Sequence, residues 1–389
     1  MKKDTRLVVA GRDPYNNFGI VNPPVYHAST ILSKTIAERD AKRQDSFNNY
    51  TYGLRGTPTH TAFEAAVAAL EGGEKCVVLP SGLAAIAVVL LAFVKSGDHV
   101  LITDNTYEPA RSFANQWLSR FGVTATYFDP MIGAGIDALI RPETRLVLIE
   151  SPGSITFEVQ DVPAIAAAAH AHGVLVAIDN TWSAGYYFDA FAHGCDISLQ
   201  AATKYIGGHS DVMLGTVVAA EPLWRKLKTA TVNFGYHTGP DDCFLGMRGL
   251  RSIAARLPRH QATALRLAHW LAARPEVASV LHPALPSCPG HEFWKRDFTG
   301  STGLFGVVLK EGIRNEAVTA MIDGMALFGI GASWGGFESL ILPTDPAQLR
   351  TVVPWPHKGP SIRLHCGLED PDDLIADVES GLARMNRAA

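Results

Sequence analysis

The chain has 389 residues, 47% of them hydrophobic and 19% charged, enough apolar content for a large core spread over two or three domains. A formal net charge of −4, with no basic run and no basic-aromatic patch, argues against a nucleic acid as partner. The five cysteines (Cys76, Cys195, Cys243, Cys288, Cys366) are scattered and never spaced C-x-x-C, which argues against a disulfide framework or a thiolate zinc site and suits a reducing cytoplasm.

The start, residues 1–12, has basic residues followed by only a short apolar stretch, too interrupted for a signal peptide. Residues 1–58 are read as an irregular arm, broken at Asn16-Asn17, Pro23-Pro24 and Asn48-Asn49. The arm holds Tyr15, Phe18, Tyr26, Phe47, Tyr50 and Tyr52, too many aromatics for a disordered tail, so it is expected to pack on another subunit. A helical pattern follows over 60–70 and stops at Glu71-Gly72-Gly73. Short apolar strands are then expected at 76–79, 100–103, 123–128, 146–150, 174–178, 196–199 and 216–220. Helical patterns at 83–94, 109–121 and 162–172 separate several of them. The first of these is the most apolar segment, but Lys95 and Gly97-Asp98 stop it well short of a membrane span. This alternation predicts an α/β domain over 59–250, with a mostly parallel sheet covered on both faces.

The pattern changes beyond residue 250. A long helical segment is expected at 251–273, interrupted at Pro258. Strands are expected at 277–281, 302–309, 327–330 and 361–365, with helices at 316–325 and 371–385. Residues 251–389 therefore read as a smaller C-terminal α+β domain.

In open α/β sheets, ligands bind at the carboxyl ends of the strands. The strand ends here carry Ser81-Gly82-Leu83, then Tyr107, then Asp179-Asn180-Thr181-Trp182, then Thr203-Lys204. Gly82 and Leu83 open a helix whose backbone N–H groups suit an anion. Lys204 stands in an otherwise uncharged segment. It is either a solvated loop lysine or a desolvated one fit for Schiff-base chemistry, and its own motif leaves the two readings level. Singly, Ser81-Gly82 is an ordinary helix cap, Tyr107 a packing residue and Asp179 a turn residue. Together they supply what pyridoxal phosphate (PLP) requires: an amine, an acid for the pyridinium nitrogen, an aromatic over the ring and donors for the phosphate. His170 and His172 point different ways on their helix, and no metal site is expected.

The motifs D-N-T-W at 179–182 and A-T-K-Y-x-x-G-H at 202–209 resemble the Cys/Met-metabolism group of fold-type-I PLP enzymes, the aspartate-aminotransferase-like fold. The segments Y-G-x-R-G-T-P-T-H at 52–60, E-S-P-G-S-I-T at 150–156, G-H-E-F-W-K-R-D-F-T-G at 290–300, S-W-G-G-F-E-S-L at 333–340 and I-R-L-H-C-G-L-E-D at 362–370 are similar to bacterial cystathionine β-lyases. The resemblance implies that Lys204 carries the cofactor and moves the α-proton, that Asp179 pairs with the ring nitrogen and that Tyr107 stacks on the ring. It implies that Gly82, Leu83 and Thr203 hold the phosphate, with Tyr52 and Arg55 reaching in from a neighbouring subunit of a homotetramer. It places Arg363 on the substrate carboxylate, with Ser333, Trp334 and Asn180 around it. The reaction implied is α,β-elimination of L-cystathionine or a related cysteine thioether to a thiol, pyruvate and ammonia.

The sequence also departs from that group. Leu54 stands where an arm arginine usually binds phosphate, a loss of about 1.5–3 kcal/mol if nothing replaces it. Ala201 stands where many relatives have serine, Ala332 where bacterial β-lyases have tyrosine, and Phe244 where some have tyrosine. These point to a larger, more apolar pocket and keep a bulkier cysteine S-conjugate open as substrate. A γ-acting relative is the competing enzyme class, disfavoured by Trp334 and by the lack of an acid at 332. A non-catalytic PLP-binding regulator is the competing reading of another kind.

Overall fold

The computed structural model describes residues 1–388. Its elements in chain order are α1 (Lys3–Val9), α2 (Ile36–Gln44), α3 (Pro58–Glu71), β1 (Lys75–Leu79), α4 (Gly82–Ala92), β2 (His99–Thr103), α5 (Glu108–Gln116), β3 (Thr124–Phe128) and β4 (Thr144–Glu150). There follow α6 (Val162–Ala171), β5 (Leu175–Asp179), β6 (Ile197–Gln200), β7 (Gly215–Ala219), α7 (Glu221–Asn233), α8 (Pro240–Ala272), β8 (Val277–Leu281) and α9 (His291–Asp297). The chain continues with β9 (Leu304–Leu309), α10 (Asn315–Asp323), β10 (Gly329–Ile330), β11 (Leu340–Thr344), α11 (Pro346–Leu349), β12 (Ser361–His365) and α12 (Pro371–Ala388).

Strands β1 to β7 form one sheet in the order β1-β7-β6-β5-β4-β2-β3. The pairs β2–β3, β2–β4, β4–β5 and β5–β6 are parallel, and β7 runs antiparallel to both of its neighbours. Six strands therefore end at one edge, and β1, β2, β4, β5 and β6 deliver the residues singled out above to that edge. Alternate residues feed two cores. Val100 and Ile102 pack with the apolar helix α4, while Leu101, Val147 and Ile178 pack with α6 on the opposite face. Helix α4 is apolar on every side because it is buried between the sheet and α5 and α7. Its start is set by Ser81, whose side chain accepts the Ala84 N–H at 3.1 Å.

The second sheet, β10-β11-β12-β9-β8, is antiparallel except for β10–β11. It encloses a core with α8, α10 and α12. Helix α8 joins the two parts. It begins at Pro240, well before the expected start at 251, and the division expected at 250/251 falls inside it. It also passes Pro258 unbroken. Leu250, Ile253 and Leu257 are buried before that proline, and Ala264, Leu267 and Leu271 after it. Burial on both sides carries the helix across the one backbone hydrogen bond that proline removes.

The arm is less irregular than its composition suggested. Helix α1 packs on α3 and α8 of its own chain with Leu7 buried, and Arg251 donates to the carbonyls of Leu7 and Ala10. Beyond α1, α2 buries nothing and Tyr15 and Phe18 are almost fully exposed, while Pro24 and Tyr26 bond Thr59 and Phe47 packs on Trp224. Strand β11 was missed because Pro343 lies within it, and proline is confined to positions that need no ladder donor.

Asp104, just past β2, ties the two parts together. It accepts the Thr351 N–H at 3.0 Å and the Val352 N–H at 2.9 Å, and pairs with Arg111 at 2.7 Å. Arg350, in the same segment, pairs with Glu158. Burial works against ionisation of Asp104, but the bonds from Thr351, Val352 and Arg111 outweigh it and hold the carboxyl below its usual range. A depressed folded-state pKa stabilises the fold above the unfolded value, about 3.9, and that contribution is lost as pH falls through the folded value. Asp104→Asn is therefore expected to cost about 3–5 kcal/mol at pH 7, with the gap from wild type closing below about pH 4. Denaturant unfolding across that range measures it.

Candidate active site

Lys204 sits in a chain of tight turns after β6. Lys204 N–H donates to Ala201 O at 3.0 Å and Gly208 N–H to Lys204 O at 2.8 Å. Gly208 has φ +71°, and a Cβ there would stand 2.2 Å from the Arg256 guanidinium, so the turn requires glycine. The lysine Nζ donates to Ser333 Oγ at 2.8 Å and lies 5.3 Å from the centre of the Trp334 ring. Burial, helped by the nearby Arg363 cation and opposed by Asp179, lowers its pKa to about 8. The side chain is partly buried and already engaged by Ser333, which favours the second reading of the motif.

Asp179 ends β5 beside Glu150 at the end of β4, the two being register partners across the parallel pair. Thr181 donates to Oδ1 of Asp179 through its N–H at 3.0 Å and also through its hydroxyl. No hydrogen bond reaches Oδ2 among the described residues. Burial raises the Asp179 pKa, with Thr181 and Lys204 resisting. Glu150 is pushed up further, by burial and by the Asp179 charge, and its Oε2 accepts the Tyr107 N–H at 2.6 Å. Tyr107 itself is 46% exposed and stands at the mouth of α5.

Gly82 and Leu83 open α4 with N–H groups that lie ahead of the helix's own ladder. A Cβ on Gly82 would lie 2.5 Å from the Ala201 Cβ, so the helix start and the lysine segment touch directly. This close approach puts the anion cradle and Lys204 at one edge. Thr203 is differently engaged than expected. Its hydroxyl donates to Leu214 O at 3.0 Å and accepts the Leu214 N–H at 2.8 Å, a bond it must exchange to reach an anion.

Arg363 lies on β12 and donates to the carbonyls of Ala332 and Ser333 at 3.4 and 3.2 Å. Ser333, Trp334, Arg363 and Lys204 thus come from both sheets to one place. Asn180 does not join them. Its side chain is fully buried, donating to Glu71 at 3.0 Å and to Phe188 O at 3.3 Å, so the expectation that it lines the substrate pocket is corrected. Tyr52 and Arg55 line a separate cleft with Arg39, Lys42 and Arg43. His170 and His172 pair with Asp196 and Asp137, and no cluster fit for a metal occurs among the described residues.

Sequence reasoning passed over Glu71, Glu150 and Thr181. Glu150 carried a visible signal, an acid closing an apolar strand as Asp179 does. Glu71 carried none, because its partners Asn180, Ser198 and Gln200 are more than a hundred residues away in the chain.

The chain matches the Cys/Met metabolism PLP-dependent enzyme family over residues 4–383. It is 47% identical to the cystathionine beta-lyase MetC of Escherichia coli (strain K12) over 99% of both chains. It is 45% identical to the cystathionine beta-lyase of Salmonella typhimurium over 98% of both. The crystal structure of metB from Corynebacterium glutamicum superposes with a TM-score of 0.90 at 30% identity, covering 100% of this chain and 99% of that one.

A lysine of lowered pKa has a direct readout. In the cofactor-free protein, Lys204 is expected to react with an amine reagent such as trinitrobenzenesulfonate with a pH midpoint of about 8, ahead of the exposed lysines. Peptide mapping of the modified protein across pH measures this.

Proposed function

The chain belongs to the Cys/Met-metabolism family of PLP-dependent enzymes, and from that premise we infer that it is a carbon–sulfur β-lyase acting on L-cystathionine or a related cysteine thioether. The observation that carries this reading is the desolvated Lys204 amine, held at 2.8 Å by Ser333 and opposed by the Asp179 carboxylate.

The residues fit the cofactor. Asp179 has Oδ2 free for a ring N–H while Thr181 secures Oδ1, which orients the carboxylate. The start of α4 offers two backbone N–H groups and the favourable end of the helix dipole to a phosphate. Lys204 is the amine that attaches the aldehyde, and Tyr107 flanks the ring. PLP, when bound, supplies the electron sink that makes the Cα–H bond of an amino acid acidic.

Within that site the chain does the following. Arg363 clamps the substrate α-carboxylate in the bidentate way that guanidinium favours, with its orientation set by the carbonyls of Ala332 and Ser333. Lys204 would hold PLP through its amine, and that amine would be free to act as a base once the substrate amine takes its place. A pKa of about 8 leaves a useful neutral fraction at physiological pH, so it takes the Cα proton as a general base. Asp179, oriented by Thr181, would pair with the ring nitrogen and favour its protonated form. Ser333 keeps the lysine aimed, and Trp334 covers it against water. Tyr107, and Tyr52 of a neighbouring copy, assist proton transfer as the Cβ–S bond breaks. Water then completes the products: thiol, pyruvate and ammonia. With L-cystathionine the thiol is homocysteine.

Tyr52 and Arg55 serve the site of a second copy, since within one chain they face a cleft of their own. The working assembly is a homodimer or a homotetramer built from such pairs, in the cytoplasm. The exposed arm aromatics support this arrangement.

Two outcomes test the reading. Purified enzyme is expected to release pyruvate and no α-ketobutyrate from L-cystathionine. Lys204→Ala is expected to lower that rate by about 10³-fold or more while the protein remains folded; α-ketobutyrate as the product overturns the β-lyase assignment. The small, exposed Ala332 favours a second substrate class, thioethers with a bulky leaving group. Ala332→Tyr is expected to shift the ratio of kcat/KM values away from a bulky S-conjugate by about tenfold, read from competing-substrate assays.

A further inference from the structure

The segment 332–336 decides where the lysine amine points. It contains two glycines in succession and carries Ser333 and Trp334, the two side chains that touch Lys204. Gly335 has φ +86°, and a Cβ there would lie 3.0 Å from the backbone of both Lys204 and Tyr205. The segment therefore lies directly on the backbone of the lysine.

Strand β12 faces it. Ile362 and Leu364 point into the core of the second sheet, so Arg363 and His365 point together to the opposite face. Arg363 bonds the carbonyls of Ala332 and Ser333, and His365 Nε2 lies 3.1 Å from the Gly335 nitrogen and 3.2 Å from the Gly336 oxygen. A neutral ring makes one of these bonds at a time: Nε2 accepts the Gly335 N–H with the proton on Nδ1, or donates to Gly336 O with the proton on Nε2, and either bond fastens the same segment. His260 stands behind it, with the ring centres 5.3 Å apart. His260 Nδ1 donates to Cys366 O at 2.8 Å, which fixes the end of β12 just past His365. Burial favours the neutral form of both imidazoles, lowering His260 to about 4 and His365 well below its ordinary value.

We propose that His365, backed by His260, is a positioning residue of this enzyme: through Nε2 it fastens the Gly335–Gly336 backbone and thereby sets Ser333 and Trp334 against Lys204. The charged groups facing Lys204 are Arg363 and Asp179. Those facing His365 are His260, Arg363 and Lys204, and Arg256 faces His260. Each positive neighbour disfavours a charged imidazole.

The inference rests on the lyase reading for its consequence but is tested without turnover. The PLP-loaded wild type, His365→Leu and His365→Gln are titrated by visible absorbance across pH. In His365→Leu the segment loosens, water reaches the lysine nitrogen, and its cationic form is better solvated. The midpoint is then expected to rise by about one pH unit, and KM for the thioether by about tenfold with a smaller change in kcat. His365→Gln, which returns an amide able to accept or donate a hydrogen bond at the site of Nε2, is expected to restore most of both. An unchanged midpoint in folded, cofactor-loaded His365→Leu overturns the proposal, as do equal effects from Leu and Gln. Should the leucine variant not fold, hydrogen exchange on wild-type holoenzyme decides. The amide of Gly335 is expected to be strongly protected, and exchange at the rate of an open loop overturns the proposal. Failure of the lyase reading shows separately, as wild type that releases no pyruvate.

Discussion

Removal of the Lys204 amine from water is the constraint on which the rest of this structure depends. A lysine on a protein surface is a cation and cannot act as a base near neutral pH. Burial against Trp334, with Arg363 close by, takes it down to about 8. Burial alone would leave the ammonium form costly and unpartnered, so the site provides Ser333 as an acceptor and Asp179 as a counter-charge. The fold can be read as the means of keeping those groups in place: parallel strand ends supply the acid and the lysine, and the second sheet supplies the wall that excludes water.

That wall requires the two sheets to stay in register. Helix α8 does so as one continuous rod, packed on the lysine turn and leading into the second sheet. Gly249 on α8 lies so close to the Ile206 and Gly207 carbonyls that a Cβ would stand about 2 Å from each. Asp104 does so by charge, holding residues 351–352 to the end of β2. This carboxylate is one residue from Asn105 and three from Tyr107, so the clasp that joins the two parts also seats the aromatic of the site. Stability and function here share residues, which places Asp104, Gly249 and His365 among the positions where a packing change is felt at the lysine.

The carboxylates of the site are differentiated by environment. Glu150 and Asp179 are neighbours across β4–β5, and both are raised by burial. Thr181 donates twice to Asp179 and Lys204 lies near it, while Glu150 receives one backbone N–H. Asp179, which receives more donors, is the one suited to hold charge against a pyridinium nitrogen, and Glu150 is the one suited to stay neutral under Tyr107. As a carbon–sulfur β-lyase, the enzyme uses a charge at one position and a neutral hydrogen-bonding group at the next.

Much of this was legible from residue order alone. Apolar runs bounded by Gly, Pro and Asp marked the strands because a doubly covered parallel sheet buries every residue of its strands. The residues just past those runs marked the site because parallel strands end on one edge. Lys204, Asp179, Tyr107 and Gly82 were singled out that way, and the motifs around them carried the family. What depended on distant partners was not legible. The resting bonds of Thr203, the burial of Asn180 on Glu71 and the clasp at Asp104 each join residues far apart in the chain. The start of α8 at Pro240 and its continuity through Pro258 were decided by burial on both sides of the proline, which local propensity does not contain. The hold of His365 on Gly335 is of the same kind: the sequence shows a histidine two places from an arginine on a strand. Only the packing of one sheet on the other turns that spacing into two adjacent grips on the segment that aims the lysine.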